Sequence, residues 1–226
     1  MILKRFVLFI IILSIGVFSY ILNYSKVYVF KYVPIMNKII VIDAGHGGND
    51  PGKPGVHGKD EDELNLEIAL KLREIIEQSG GIAVMTREAD ELSDTNLNKD
   101  LKNRVEKANE NMGDIFISIH LNSFSQSKYK GAQVFYQNNS TKGKVLAEKI
   151  QEELRKTLDS NNDRMAKSSN SYYVLRNAKM PAVIVECGFM SNPEEEKLLN
   201  NKDYQYKIAW AIYKGIIGYF KENLDT

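Results

Sequence analysis

The sequence predicts an α/β domain with a twisted, mostly parallel sheet that is flanked by helices. From Lys38 onward, short β-branched apolar runs alternate with patterns typical of amphipathic helices. Several of these runs end in glycine-rich or polar loops. The 226 residues contain no internal repeat and suit one domain that buries a full core. We therefore expect a single three-layer domain with about six strands.

The individual elements are predicted from hydrophobic spacing and from turn residues. Strands are predicted over residues 39–43, 82–86, 115–119, 132–136, 172–175 and 182–185. Apolar residues three or four apart predict helices over residues 64–75, 97–108, 146–154 and 208–216. Pro193 follows Ser191 and Asn192, so a short helix is expected to begin there. The polar stretch 159–171 predicts the longest loop.

The N-terminus has the pattern of a membrane anchor. Lys4 and Arg5 precede an uncharged stretch, and about 17 apolar residues are just long enough to span a bilayer. No small-x-small cleavage site follows, so an uncleaved anchor is expected, and the protein is secreted if the signal is cleaved. The positive-inside tendency then puts the main domain outside the cytoplasm. The predicted segments are a cytoplasmic stub (1–5), a transmembrane anchor (6–22), a linker (23–37) and the main domain (38–226).

Composition excludes two classes of protein. The 30 basic and 29 acidic residues give a net charge of +1, and no basic patch or nucleic-acid-reading module is visible in the sequence. Nucleic acid is therefore not an expected partner. Cys187 is the single cysteine, so no disulfide forms within the chain, and stability must come from the core.

Two of the three histidines follow predicted strands. His46 lies in a glycine turn after the first strand, and His120 follows the third. In α/β proteins the ends of strands are where ligands and chemistry collect. His57 lies in a separate glycine-rich loop and is expected to be exposed. The repeated position of His46 and His120 predicts a functional site at one edge of the sheet.

Carboxylates complete this predicted site. Glu186 closes the apolar strand over residues 182–185, where a carboxylate is costly unless it is paired, hydrated or bound to metal. Two imidazoles and one carboxylate make a zinc site with one position open for water. The acidic run 60–63 is the obvious source of that carboxylate, although acids before a helix also suit the helix dipole. Spacing alone does not choose among the four acids.

Four motifs together resemble a known family. They are residues 43–52 around His46, the acidic turn before Leu64, residues 118–122 around His120, and residues 185–192 around Glu186. In this order they are similar to the zinc-dependent N-acetylmuramoyl-L-alanine amidases of the amidase 3 family, from about residue 39 to the C-terminus. Among these, the chain resembles the membrane-anchored spore-cortex amidases that form muramic lactam.

The resemblance implies a reaction and a set of site residues. One Zn²⁺ per chain would be bound by His46, Glu61 and His120, and Glu186 would be catalytic. The family usually follows its ligand glutamate with Lys-Asp, where this chain has Asp62 and Glu63. Asp60 and Glu63 therefore stay alternatives to Glu61. The bond cleaved joins the lactyl group of N-acetylmuramic acid to L-alanine of the stem peptide in peptidoglycan.

Partners and location follow from the same resemblance. Asn122, two places after His120, and Arg176, after a predicted strand, are candidates for binding the substrate. Peptidoglycan glycan strands and stem peptides are the expected partners, together with the membrane through the anchor. Because no glycan-binding module is visible, targeting must come from the anchor, the cleft or an activating or targeting protein. The expected location is the extracytoplasmic face of the membrane, in the cell envelope or forespore envelope.

Three other functions compete with this interpretation. A cysteine hydrolase would use Cys187 as nucleophile, but strand alternation turns Cys187 away from a cleft that Glu186 faces. Another extracytoplasmic zinc peptidase acting on wall peptides would need the same residue types. A non-catalytic wall-binding protein of the same fold would need a broken site, whereas His46, Glu61, His120 and Glu186 are all present.

Overall fold

The computed structural model describes residues 2–25 and 33–222, which belong to two compact units, residues 1–33 and 34–226. The first unit contains helix α1, Ile2–Ser25. Within the described ranges, no helix is both long enough and apolar enough to cross a membrane. The predicted transmembrane anchor over residues 6–22 is therefore not supported. Residues 26–32 of the predicted linker and Met1 of the predicted stub lie outside the described residues.

The second unit is built on one six-stranded sheet, which confirms the predicted α/β class. Its strands are β1 (Ile39–Ala44), β2 (Ile82–Met85), β3 (Ile115–Asn122), β4 (Gln133–Gln137), β5 (Lys167–Ser169) and β6 (Ala182–Phe189). They lie in the order β2-β1-β3-β6-β4-β5. Every pair is parallel except β4 and β6, which are antiparallel.

Six helices cover the two faces of this sheet. They are α2 (Glu61–Gln78), α3 (Leu97–Glu110), α4 (Thr141–Leu158), α5 (Tyr173–Asn177), α6 (Pro193–Leu199) and α7 (Lys202–Glu222). On one face, Val105 of α3 and Val174 of α5 join a buried cluster with Phe116 and Ile184 of the sheet. On the other, α2 and α4 contact the strands, and α7 packs against both helices. The result is three layers with an apolar core on each side of the sheet.

Most predicted elements form, but one strand prediction was wrong. The run over residues 172–175 enters the short helix α5, and the strand β5 lies inside the stretch predicted to be a loop. A four-residue apolar run has too little periodicity to distinguish a strand from a helix. The polar residues of β5 form a strand because they pair with the edge of β4. No pattern in the sequence of β5 predicts this pairing. The predicted N-terminal proline of α6 is confirmed, with Asn192 as the cap.

The parallel pairing of β1, β3 and β6 brings their carboxyl ends to one edge of the sheet. In the β3–β6 pair, His120 lies directly opposite Glu186. Residues opposite each other on neighbouring strands point to the same face. Glu186 also shares its face with Ile184, two residues earlier, which packs in the α3 and α5 layer. The functional edge therefore opens toward α3 and α5.

We predict that Gly215→Ala destabilises the domain because α7 crosses α4 at this glycine. A Cβ on Gly215 would lie 2.5 Å from the Cα of Ile150 and 2.8 Å from its backbone nitrogen, so the two helices would have to move apart. The expected loss is about 1–3 kcal/mol in the free energy of unfolding, measured by chemical denaturation.

Gly218→Ala is the matched control for this substitution. It lies one turn later in α7, where a Cβ would meet only the flexible Lys149 side chain, at 3.5 Å. Alanine is the better helix former, so this variant should gain about 0.5–1 kcal/mol. Equal effects at the two glycines would contradict the close helix crossing.

Candidate active site

His46 occupies a left-handed turn just after β1. Its φ is 62°, and the Arg104 guanidinium donates a hydrogen bond to its carbonyl oxygen at 2.8 Å. Its Nδ1 lies 2.8 Å from Oδ2 of Asp50. An ionised carboxylate only accepts, so Nδ1 is the donor and the other ring nitrogen, Nε2, faces Glu61. A carboxylate behind a histidine in this way fixes the orientation of the ring, as it does for many metal-binding histidines.

Glu61, the first residue of α2, lies at the centre of the site. Its Oε1 is 3.4 Å from Nε2 of His46 and 3.1 Å from Nδ1 of His120. The backbone N–H of Leu121 donates to Oε1 at 3.1 Å, and that of Lys53 donates to Oε2 at 2.9 Å. These backbone donors come from two different segments, so the carboxylate is held on both sides.

The other acids of the run 60–63 point elsewhere. Asp60 accepts from the backbone N–H of Gly55 at 2.8 Å. Glu63 is exposed and lies 3.7 Å from Lys59. Burial and a hydrogen bond with Asp90 raise the pKa of Asp62 to about 6. Since successive helical residues diverge by about 100°, one acid of the run reaches the histidines, and in this structure that acid is Glu61.

Two glycines leave the space that the three side chains occupy. A Cβ on Gly45 would overlap the imidazole ring of His120. A Cβ on Gly52 would lie 2.7 Å from both Oε2 of Glu61 and Cδ2 of His46, and Gly52 has a φ of 65°. The glycine-rich sequence around His46 therefore lets the backbone pass directly against the side chains.

The electrostatics of the group favour a bound cation. Burial lowers the pKa of His46, but the Glu61 and Asp50 carboxylates outweigh it and raise that pKa to about 9. Burial raises the pKa of Glu61, yet hydrogen bonds from His120 and His46 hold it well below its usual range. Two ring nitrogens around one carboxylate need positive charge among them, supplied by a proton or by a metal ion.

The three side chains fit a divalent metal. His46, Glu61 and His120 each offer one ligand atom, and these atoms all lie within 4.8 Å of one another. Two imidazole nitrogens and one carboxylate oxygen form a donor set typical of catalytic zinc, with a fourth position free for water or substrate. Among the residues that the structure describes, this is the one group of three or more histidines, cysteines or acids placed to hold a metal.

Glu186 lies beside this group and is nearly inaccessible to solvent. Its residue exposure is 8%, and its Oε2 has no hydrogen-bond partner within the described part of the chain. Burial raises the pKa of its carboxyl group, and the charge of His120 only partly opposes this. Such a carboxylate has a high affinity for a proton, as a general base requires.

The Tyr172 hydroxyl is the one side-chain donor to Glu186 among the described residues. It donates to Oε1 in a long hydrogen bond of 3.5 Å. Burial and the neighbouring Glu186 charge raise the pKa of Tyr172 to about 12, so the phenol keeps its proton. Sequence reasoning missed this residue because Tyr172 and Glu186 are 14 positions apart and the run around Tyr172 was assigned to a strand.

A cleft of about 370 Å³ opens beside the site. Its lining includes both histidines, Tyr172, Ile184 and Arg176. The exposed Arg176 side chain donates from Nη1 to the carbonyl oxygen of Asn170 at 2.5 Å. Asn122 is not among the described residues that line this cleft. It lies at the end of β3, where its backbone carbonyl oxygen accepts a hydrogen bond from the N–H of Met190 at 2.8 Å. Of the two predicted substrate-binding residues, the structure therefore brings Arg176 to the cleft.

A buried ion pair supports the histidine turn from below. Arg104 donates to Oδ1 of Asp43 at 2.9 Å and to the Ala44 carbonyl oxygen at 2.7 Å, besides its bond to His46. Ser118 donates to the other oxygen of Asp43 at 2.6 Å. Sequence reasoning missed Arg104, because 61 positions separate it from Asp43 and neither residue carries a signal of the pairing.

A second buried guanidinium holds the same loop. Arg87 donates to the carbonyl oxygens of Ala44 at 2.9 Å, of Gly45 at 3.0 Å and of Asp62 at 2.7 Å. It thereby ties the end of β1 to the first turn of α2, which carries Glu61. A fork of fixed N–H donors suits this task because several carbonyl oxygens converge on it.

The remaining candidate nucleophile and the third histidine lie outside the site. Cys187 is buried, and burial raises the pKa of its thiol well above the ordinary value, so a thiolate nucleophile is disfavoured. It follows Glu186 on β6 and points to the opposite face, as strand alternation predicted. His57 is exposed, and its backbone N–H donates to Glu196 at 2.9 Å.

Comparison with known proteins identifies the family. The family model amidase 3, described as N-acetylmuramoyl-L-alanine amidase, matches residues 40–218. The chain belongs to this family. The germination-specific N-acetylmuramoyl-L-alanine amidase of Bacillus subtilis (strain 168) is 39% identical over 206 residues, which cover 85% of this chain and 84% of that protein. The family membership predicted from the four sequence motifs is confirmed.

Solved amidase structures share the fold. The CwlD amidase from Clostridioides difficile, in complex with the GerS lipoprotein, superposes with a TM-score of 0.80 at 46% identity, covering 82% of this chain and 99% of that chain. The amidase AmiC2 of Nostoc punctiforme has a TM-score of 0.73 at 34% identity, covering 81% and 97%. The germination-specific relative and AmiC2 are N-acetylmuramoyl-L-alanine amidases, and the chain is an enzyme of this class.

We predict that His46→Ala, His120→Ala and Glu61→Gln each weaken zinc binding by more than about 100-fold, since each removes one of the converging ligand atoms. Metal content after dialysis, with a titration of the metal-free protein, measures this. Glu63→Gln is the matched control: it neutralises a nearby acid that points into solvent, and it should bind zinc like the parent. Loss of zinc in Glu63→Gln together with full binding in Glu61→Gln would contradict the observed geometry.

Proposed function

We propose that this amidase uses one zinc ion per chain to hydrolyse the amide bond between the lactyl group of N-acetylmuramic acid and L-alanine of the stem peptide. The observation that carries the proposal is the convergence of His46, Glu61 and His120 beside the buried carboxylate of Glu186. The family supplies the reaction class, and the donor set of the three side chains supports zinc as the metal.

The three ligand residues would hold the metal, which when bound supplies Lewis acidity toward the amide carbonyl and toward water. His46 enters this role with its Nδ1 proton directed to Asp50, which leaves Nε2 free on the side of Glu61. Glu61 stays ionised because backbone N–H groups and both imidazoles favour its charged form. These residues therefore bring a fixed donor set that needs little rearrangement to bind a cation.

Glu186 is the proposed general base and acid. Its carboxylate takes a proton from the attacking water, whose oxygen bonds to the carbonyl carbon of the substrate. As the carbon–nitrogen bond breaks, the same proton passes to the departing nitrogen of L-alanine, which leaves as a free amine. Burial raises the proton affinity of Glu186, and the hydrogen bond from Tyr172 orients one of its oxygens.

The cleft supports an acyl substrate with a peptide beyond it. Its apolar wall includes Ile184 and Val174, while Arg176 offers positive charge at its rim. A stem peptide carries carboxylates, which a guanidinium binds well. We propose that Arg176 binds the substrate. Asn122 also stays a proposed substrate-binding residue, although it does not line the cleft.

The proposed biological setting is maturation of the spore cortex. A germination-specific amidase among the relatives supports it, as does the similarity to an amidase solved with a lipoprotein. By analogy we propose that a protein partner assists in targeting or activation. Since peptidoglycan lies outside the cytoplasm, the proposed location of the catalytic domain is the extracytoplasmic side of the cell envelope.

Product analysis tests the reaction. Purified peptidoglycan incubated with the full chain and zinc should release free stem peptides with new L-alanine N-termini, identified by mass spectrometry. The competing function, a zinc peptidase acting on wall peptides, predicts peptides shortened at another bond. Omitting zinc and adding a chelator should abolish release, because the ligand residues alone supply no Lewis acid.

We predict that Glu186→Gln lowers kcat by about 10²–10⁴-fold while zinc content stays at one per chain, because the substitution removes the proton acceptor and keeps the side-chain size. Single-turnover rates on a soluble muramoyl peptide measure the loss. Glu194→Gln is the control, because it neutralises an exposed acid in the first turn of α6. This variant should turn over substrate at the parent rate. A Glu186→Gln enzyme with undiminished turnover would remove Glu186 from the mechanism.

A further inference from the structure

A second cavity lies next to the catalytic cleft and is larger than it. It measures about 810 Å³ and is bordered by the start of α4, the segment after β5, α5 and the segment before β6. We call it the outer groove and define it by residues Ser140, Lys142, Asn170, Arg176, Lys179 and Pro181. Of the residues that define this groove, the function proposed above uses only Arg176.

The outer groove borders the catalytic cleft at Arg176. This side chain lines both cavities, and its hydrogen bond to the Asn170 carbonyl fixes it at their common border. The neighbouring Ser171 lines the cleft, whereas Asn170 lines the groove. A chain-like ligand that leaves the cleft past Arg176 therefore enters the groove.

The charge of the outer groove is of one sign. Its lining contains Lys142, Arg176 and Lys179 and no aspartate or glutamate. In the described part of the chain, none of these three cations forms an ion pair within 4.0 Å, whereas Lys144, two residues after Lys142 in α4, pairs with Glu148 at 3.7 Å. Three cations around a concave surface without acidic partners favour an anionic ligand. Leu175 and Met180 add an apolar floor.

The distance along β6 matches the length of a short peptide. The groove begins at Pro181, and Glu186 lies five residues later on an extended strand, which is roughly 16 Å at about 3.3 Å per residue. An extended peptide covers at most about 3.3–3.6 Å per residue, so five residues span the gap, and four residues come within about 2–3 Å of it. A stem peptide bound with L-alanine beside Glu186 would bring its distal carboxylates to the groove.

We infer that the outer groove is a carboxylate-binding subsite for the distal residues of the stem peptide, with Lys142 and Lys179 as its specificity-determining residues. The inference rests on the proposed function and deepens it, because it names the part of the substrate that binds away from the scissile bond. Binding there does not change between ground state and transition state, so its contribution appears in KM more than in kcat.

The test compares two soluble N-acetylmuramoyl tetrapeptides, one with free carboxylates on its third and fourth residues and one with both amidated. The holoenzyme should prefer the free carboxylates by about tenfold in kcat/KM, mainly through KM, since each contact between solvated charges is modest. Added salt should shrink the preference, because the contacts are exposed to solvent.

The double variant Lys142→Gln and Lys179→Gln should reduce the preference to less than about twofold. Lys144→Gln is the matched control: it removes a cation from the same helix outside the groove and should keep the tenfold preference. Zinc content and thermal unfolding confirm that each variant is folded.

The outcomes separate the two proposals. If the holoenzyme cleaves both substrates at the muramoyl–alanine bond with equal kcat/KM, or if the double variant keeps the parent's preference, the groove proposal is overturned and the amidase reaction stands. If neither substrate is cleaved at that bond, the proposed reaction fails and the groove proposal with it.

Discussion

The buried pairing of Arg104 with Asp43 is the interaction on which the geometry of the site depends. Asp43 lies one residue before the end of β1 and accepts hydrogen bonds from Ser118 on β3 and from Thr86 after β2, while Arg104 reaches across from α3. Burial raises the pKa of Asp43, but the Arg104 charge and these hydroxyl donors hold it below its ordinary value. Removing Arg104 would leave the Asp43 carboxylate buried without its charged partner, at a cost of about 3–5 kcal/mol. The same guanidinium donates to the His46 carbonyl oxygen, so one side chain both stabilises the fold and positions His46.

The parallel sheet brings the site residues together at one edge. Neighbouring parallel strands deliver His120 and Glu186 directly opposite each other, and the loop after β1 brings His46 to the same edge. The helix that follows that loop supplies Glu61 at its first residue, where backbone donors keep the carboxylate charged. The proposed metal ligands and the proposed general base therefore come from four segments, yet each is held by regular structure or by a buried arginine. The outer groove extends this site along β6, away from the chemistry.

Much of the fold and of the site could be predicted, and the exceptions share a cause. Long periodic patterns identified α2, α3, α4 and α7, because burying one face of a helix leaves a repeat in the sequence. The run around Tyr172 was too short to carry such a repeat and became helix α5 instead of a strand. Strand β5 forms because it pairs with β4, and no residue pattern within β5 predicts that pairing. Tyr172 and Arg104 act through partners 14 and 61 positions away, beyond the reach of any local motif.

By itself the sequence determined the fold class, the family and the four residue types of the site, since strand ends, glycine turns and motif order are local properties of the chain. Only the tertiary structure decided which acid of the run 60–63 reaches the histidines, because that choice depends on the rotation of α2 relative to the sheet. It also decided that Arg176 borders the cleft while Asn122 does not. Contacts between distant segments depend on how the layers pack, and spacing along a sequence does not encode that packing.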